Sequence, residues 1–170
     1  SAAPQLRPSD RDLEASLSEG PPNHATGARG ALPGRGARVR HADGSAATAE
    51  RPLRLAYHDA CHMLHGQGLR QQPRSLLGSI PHVRLVEATE AGVCCGSAGI
   101  YNLVQPHEAD ALGELKANDL AHTGAALVAS ANIGCSLQIR KHLQRSGHPQ
   151  TVEHPLQVLA RSAGLSDATR

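Results

Sequence analysis

The chain has 170 residues and a formal net charge of +2. That is long enough for one domain with a core of its own and too near neutral for the electrostatic footprint of a nucleic-acid binder. Phe and Trp are absent and Tyr occurs twice, so the core must rest on Leu, Val, Ile and Ala, and the platforms on which bases stack are missing.

No stretch is long and apolar enough for a transmembrane helix, and no basic-then-apolar leader opens the chain, so neither a membrane span nor a secretory signal is expected. In the reducing compartment this implies, the four cysteines are expected as thiols rather than disulfides.

Residues 1–51 read as a disordered, low-complexity arm. Their large aliphatics are Leu6, Leu13, Leu17, Leu32 and Val39, scattered among Gly, Pro, Ala, Ser and Arg. Such a segment buries too little apolar surface to offset an ordering cost of roughly 1–2 kcal/mol per residue. The string "GARGALPGRGARV" follows no strand and opens no helix, so its glycines are not a phosphate loop.

The pattern changes at Pro52, and residues 52–165 read as a single α/β domain. "LRLAYHD" (53–59) alternates as a strand does, "QQPRSLLGSI" (71–80) suits a short helix with Pro73 in its first turn, and "VRLVEA" (83–88) is a second strand. Residues 105–124 form the strongest helix, with Ala109, Leu112, Leu115 and Leu120 on one face, Asp119 intruding on that face, and Gly124 as a stop. A third strand over 125–131, a helix over 136–146, a short strand over 151–154 and a last helix from Pro155 to about Ala163 complete the order. Strands alternating with helices predict a parallel sheet flanked by helices on both faces.

This order gives the cysteines their meaning. Thirty-two residues separate Cys61 from the adjacent pair Cys94-Cys95, and thirty-nine separate Cys95 from Cys135. Each follows the end of a strand, and in a parallel sheet those ends share the carboxyl edge, where open α/β sheets place their ligands. Thiolates gathered there suit zinc or an iron–sulfur cluster. Adjacent thiolates point apart and suit a polynuclear cluster better than one structural zinc; buried thiols acting as small hydrophobes are the plain alternative.

His58, Asp59 and His62 flank Cys61. His62 is a candidate ligand or donor to a cluster sulfur, Asp59 a candidate helix cap, and His154 closes the last strand on the same edge. Gly96 permits close backbone approach or a tight turn. His65, His82, His107, His122, His142 and His148 read as solvent-facing. Ser97 or a cysteine as a nucleophile, with His58 or His62 as base, lacks a supporting motif, and the long spacings exclude transcription-factor zinc fingers.

The segments "AYHDACHMLHGQGLR", "CCGSAGIYNLVQP" and "ANIGCSLQI" resemble the CCG cysteine-rich domain, most of all the second such domain of the iron–sulfur subunit of glycolate oxidase (glycolate dehydrogenase). Related modules occur in the cysteine-rich subunit of heterodisulfide reductase and in lactate-utilisation proteins. The likeness runs over residues 52–163. In the family's pattern a lone cysteine precedes the adjacent pair, and two more cysteines follow with two residues between them. Cys61, Cys94, Cys95 and Cys135 match four of the five positions, Cys135 the last, and Asn132 stands where the first cysteine of the final two would be.

The resemblance implies those four cysteines as metal ligands, with His58, Asp59, His62, Gly96, Asn132 and His154 around them. It implies an iron–sulfur cluster, 4Fe–4S in its conventional form, with zinc as the alternative. It implies FAD-containing subunits as partners, electrons passing from a flavin subunit towards the respiratory chain, and a cytoplasmic location at the inner face of the membrane. A zinc-bearing or metal-free docking module is the rival reading; a redox subunit like that of heterodisulfide reductase is a third, weakened by Asn132. A full glycolate oxidase subunit of this kind also carries a ferredoxin-like part and a first CCG domain, so the chain reads as a C-terminal fragment.

Overall fold

The computed structural model describes residues 39–165. Four strands, β1 (Leu53–His58), β2 (Val83–Val86), β3 (Leu127–Ser130) and β4 (Thr151–Glu153), form one sheet in the order β2-β1-β3-β4. Every pairing is parallel, with Leu55 opposite Leu85 and Leu127, His58 opposite Ser130, and Val128 opposite Val152. A π-helical turn (His62–Gly66) and helix α1 (Gln71–Gly78) link β1 to β2. The short α2 (Tyr101–Val104) and the long α3 (Pro106–His122) link β2 to β3, α4 (Ile133–Arg145) leads into β4, and α5 (Pro155–Ser162) closes the chain.

Strand alternation divides the core in two. Leu53, Leu55 and Tyr57 of β1 and Leu127 and Ala129 of β3 pack on one face with Leu77 and Val158 from α1 and α5. Ala56 and Val128 point to the other face and meet Ala117, Leu120, Ile139 and Leu143 of α3 and α4, together with Cys95 and Cys135. His58, two residues on from Ala56, shares that second face. The reversal of strand order lies between β1 and β3, so the crevice for a ligand opens past the ends of these two strands.

The elements follow the sequence reading, with shifted ends and three corrections. The domain begins before Pro52: an antiparallel bridge joins Arg40 to Ala46, and Val39 and Ala47 are buried beside Leu53. The rest of the expected arm, residues 1–38, lies outside the described residues.

The buried stripe of α3 is Ala109, Gly113, Lys116, Ala117 and Leu120, while Leu115 is exposed. The helix meets α4 closely enough to need Gly113, whose added Cβ would lie 2.3 Å from the His142 ring. His142 is accordingly buried, against its reading as a solvent-facing residue.

Candidate metal centre

The end of β1 delivers His58, Asp59 and Cys61 to the carboxyl edge. His58 is 2% exposed and its Nδ1 has no hydrogen-bond partner among the described residues. Asp59, also buried, does not cap a helix; the turn that follows has no side-chain cap. Its two oxygens instead take a bidentate pair of bonds from Arg74 at 2.8 and 2.7 Å. Arg74 also binds Glu87 just past β2, at 2.8 Å through each of two nitrogens, and lies 5.4 Å from the centre of the Tyr57 ring. Those carboxylates hold the guanidinium's pKa well above its ordinary value. The Arg74 fork thus ties the exits of β1 and β2 to α1, fixing where Cys61 leaves the sheet.

The loop from β2 carries Cys94 and Cys95. Buried Lys116 on α3 donates to the Glu90 carbonyl and lies 3.7 Å from Asp119, and Asp119 in turn accepts from the Thr89 and Glu90 N–H groups at 2.9 and 3.1 Å. The acidic residue that interrupts the apolar face of α3 therefore anchors the loop leading to the cysteine pair. Burial lowers the Lys116 pKa, opposed by Asp119.

After the pair, Gly96 adopts φ +82°, and a Cβ there would fall 2.3 Å from the Ala109 carbonyl oxygen. A Cβ on Gly134, in the first turn of α4, would fall 2.6 Å from Ser97 Oγ. These two close approaches press the CCG loop onto α3 and α4 and carry Cys95 to Cys135.

The result is a buried cluster. His58, Cys95 and Cys135 each offer a ligand atom, and these atoms all lie within 4.8 Å of one another. All four cysteines are free thiols; Cys95 and Cys135 are buried, Cys61 and Cys94 partly exposed. Cys135 above all, with His58 and the Ser97 N–H, favours the Cys95 thiolate and outweighs burial, so the Cys95 pKa falls well below the usual thiol range. Cys135 is pushed up by Cys95 and by burial. Cys94 is raised chiefly by burial, with smaller contributions from Cys95 and from a hydrogen bond with Cys61; the Gly96 N–H bonds its sulfur at 3.4 Å. His58, Cys95 and Cys135 thus form a compact buried set at the switch point of the sheet, with Cys61 and Cys94 outside it but near enough to act on the Cys135 thiol. The donors suit a thiophilic metal or cluster, and the unpartnered His58 nitrogen leaves a coordination-capable atom unused by the fold.

The remaining sequence candidates sort clearly. Asn132 is the N-cap of α4; its Oδ1 accepts from the Cys135 N–H at 3.0 Å. His62 is exposed. The His154 side chain accepts from the Leu156 N–H and forms a capping box with Gln157, so it serves α5 rather than the cluster. Arg74, Lys116 and Gly134 escaped sequence reasoning. Only the misplaced acidic Asp119 signalled a polar anchor on α3.

The cysteine-rich domain family named CCG matches residues 55–140. Among curated proteins, the chain is 38% identical over 95 residues to a fumarate reductase (CoM/CoB) subunit of Methanothermobacter marburgensis, covering 56% of this chain and 19% of that protein. It is 35% identical over 117 residues to the probable glycolate oxidase iron-sulfur subunit of Bacillus subtilis, covering 68% and 26%. It is 29% identical over 111 residues to lactate utilization protein A of an Exiguobacterium strain, covering 65% and 45%. The chain thus spans between a fifth and a half of the length of these relatives. No solved structure matches. Half of the chain, including all four cysteines and the strands that gather them, matches one family, and the chain belongs to the CCG cysteine-rich domains.

Proposed function

We propose that the chain is the electron-transfer module of an iron–sulfur subunit in a multi-subunit oxidase or dehydrogenase of the glycolate oxidase type. The observation that carries this reading is the buried meeting of Cys95 and Cys135 with His58 at the switch point of the sheet, with the partly exposed Cys61 and Cys94 nearby. The names of the relatives from Bacillus subtilis and Methanothermobacter marburgensis support it, as an iron–sulfur subunit and a fumarate reductase subunit.

In this reading the four thiolates hold an iron–sulfur cluster, which accepts and releases one electron at a time. The protein buries Cys95 and Cys135, sets Cys95 beside Cys135, His58 and Ser97, and leaves the Cys61 and Cys94 side open towards a partner. Oxidation of a 2-hydroxy acid belongs to FAD-containing partner subunits, and the electrons go on to the respiratory chain. The complex works in the cytoplasm at the inner face of the membrane; no helix among the described residues is long and apolar enough to cross it.

Metal analysis of the full chain, prepared without oxygen, tests this. Iron with acid-labile sulfide is expected, reduced at least tenfold by Cys95→Ala. One equivalent of zinc without iron would overturn the electron-transfer reading in favour of a docking module.

A further inference from the structure

We infer that His58 is itself a metal ligand, so that the centre is a mixed thiolate–imidazole site in which a ring nitrogen makes good the thiol absent at Asn132. The inference deepens the proposed function and rests on it for the presence of a metal.

Three independent observations carry it. His58 Nδ1 is buried with no hydrogen-bond partner among the described residues, a costly state for a polar atom unless a further group engages it. Its ring offers a nitrogen within 4.8 Å of both the Cys95 and the Cys135 sulfurs, close enough that a small inward shift brings the three donors onto one metal or onto neighbouring irons of one cluster.

The third observation is positional. His58 is the last residue of β1, paired in register with Ser130 of β3, two residues before Asn132. The side chain at position 132 is occupied elsewhere: Asn132 Oδ1 bonds the Cys135 N–H at 3.0 Å as the cap of α4. The missing thiol and the His58 imidazole therefore belong to neighbouring strand ends, on the edge where Cys135 begins its helix. Histidine in place of cysteine at an iron raises the reduction potential of a cluster, because a neutral donor replaces an anionic one. The centre would then accept electrons more readily than an all-thiolate one.

The test uses the full chain carrying 15N-labelled histidine, with its iron–sulfur centre assembled anaerobically. Pulsed electron paramagnetic resonance of the reduced protein is expected to show one strongly coupled histidine nitrogen, lost in His58→Cys. That variant should keep its iron, since a thiolate is supplied instead, and its midpoint potential should move downward. His62→Ala, at an exposed position, should leave both signal and potential unchanged. Only weak nitrogen coupling, of the size a hydrogen-bonding imidazole gives, would overturn the inference, as would an unchanged spectrum in His58→Cys. If the chain holds zinc instead of iron, the electron-transfer reading fails by itself. Histidine ligation is then read separately in cobalt(II)-substituted protein, by the paramagnetically shifted ring protons of a bound imidazole, and their absence there would overturn it.

Discussion

Asn132 Oδ1 accepts a hydrogen bond from the Cys135 backbone N–H at 3.0 Å, so the residue at the family's fourth thiol position holds the helix turn that presents the fifth. Replacing Asn132 by Ala is expected to cost about 1 kcal/mol through loss of the cap, while Asn132→Asp keeps it. The midpoints of urea unfolding for the two variants, read by circular dichroism, check this. An equal loss in both would mean that the cap is not what Asn132 supplies.

The Asp59–Arg74 pair invites a sharper test. Arg74→Ala would leave a buried carboxylate without its bidentate partner, a change expected to cost about 3–5 kcal/mol. Asp59→Asn with Arg74→Met removes both charges and should recover much of that loss. Chemical denaturation of the single and double variants measures the coupling directly.

Two glycines of one loop should respond differently. Gly96 and Gly99 both have positive φ, but only Gly96 would set a Cβ against backbone, at the Ala109 carbonyl. Gly99→Ala should cost about 1–2 kcal/mol of left-handed strain. Gly96→Ala should cost clearly more and abolish metal uptake, because Cys95 can no longer seat beside Cys135. Metal content and thermal unfolding of the two variants provide the comparison.

Much of this architecture was legible in the chain itself. Alternation in "LRLAYHD" and the rhythm of strands and helices gave the parallel sheet, and the sheet in turn brought cysteines thirty or more residues apart to one edge. What escaped was set by tertiary contact. Arg74 lies in a helix with nothing local to mark it, yet it joins the ends of two strands. Leu115 looked like core because periodicity alone cannot say which of two adjacent stripes meets the sheet; Gly113 and Lys116 show that α4 and the β2 exit loop take the other one. His154 looked like a site residue because it ends a strand on the right edge, but a Pro-started helix follows and claims its ring as a cap.

His142 gives the metal-free fold a pH dependence of known sign. Burial lowers its pKa; Asp110, 3.4 Å away, and Glu114 oppose this, while Lys141 and Arg145 add to it. A base whose folded pKa lies below the unfolded value, about 6.5, binds its proton less readily when folded. Its stabilising contribution is therefore present above pH 6.5 and declines as the pH falls below that towards the folded value. Denaturation midpoints at pH 7.5 and 5.0 should differ more for the native chain than for His142→Gln. Equal differences would refute the assignment.

The central claim is that these residues hold a redox-active iron–sulfur centre, and a reversible reduction titration meets it most directly. The anaerobically assembled full chain should show a brown chromophore that dithionite bleaches and mild oxidant restores over repeated cycles, and that Cys95→Ala lacks. A colourless protein, or a colour that reduction leaves unchanged, would contradict the account.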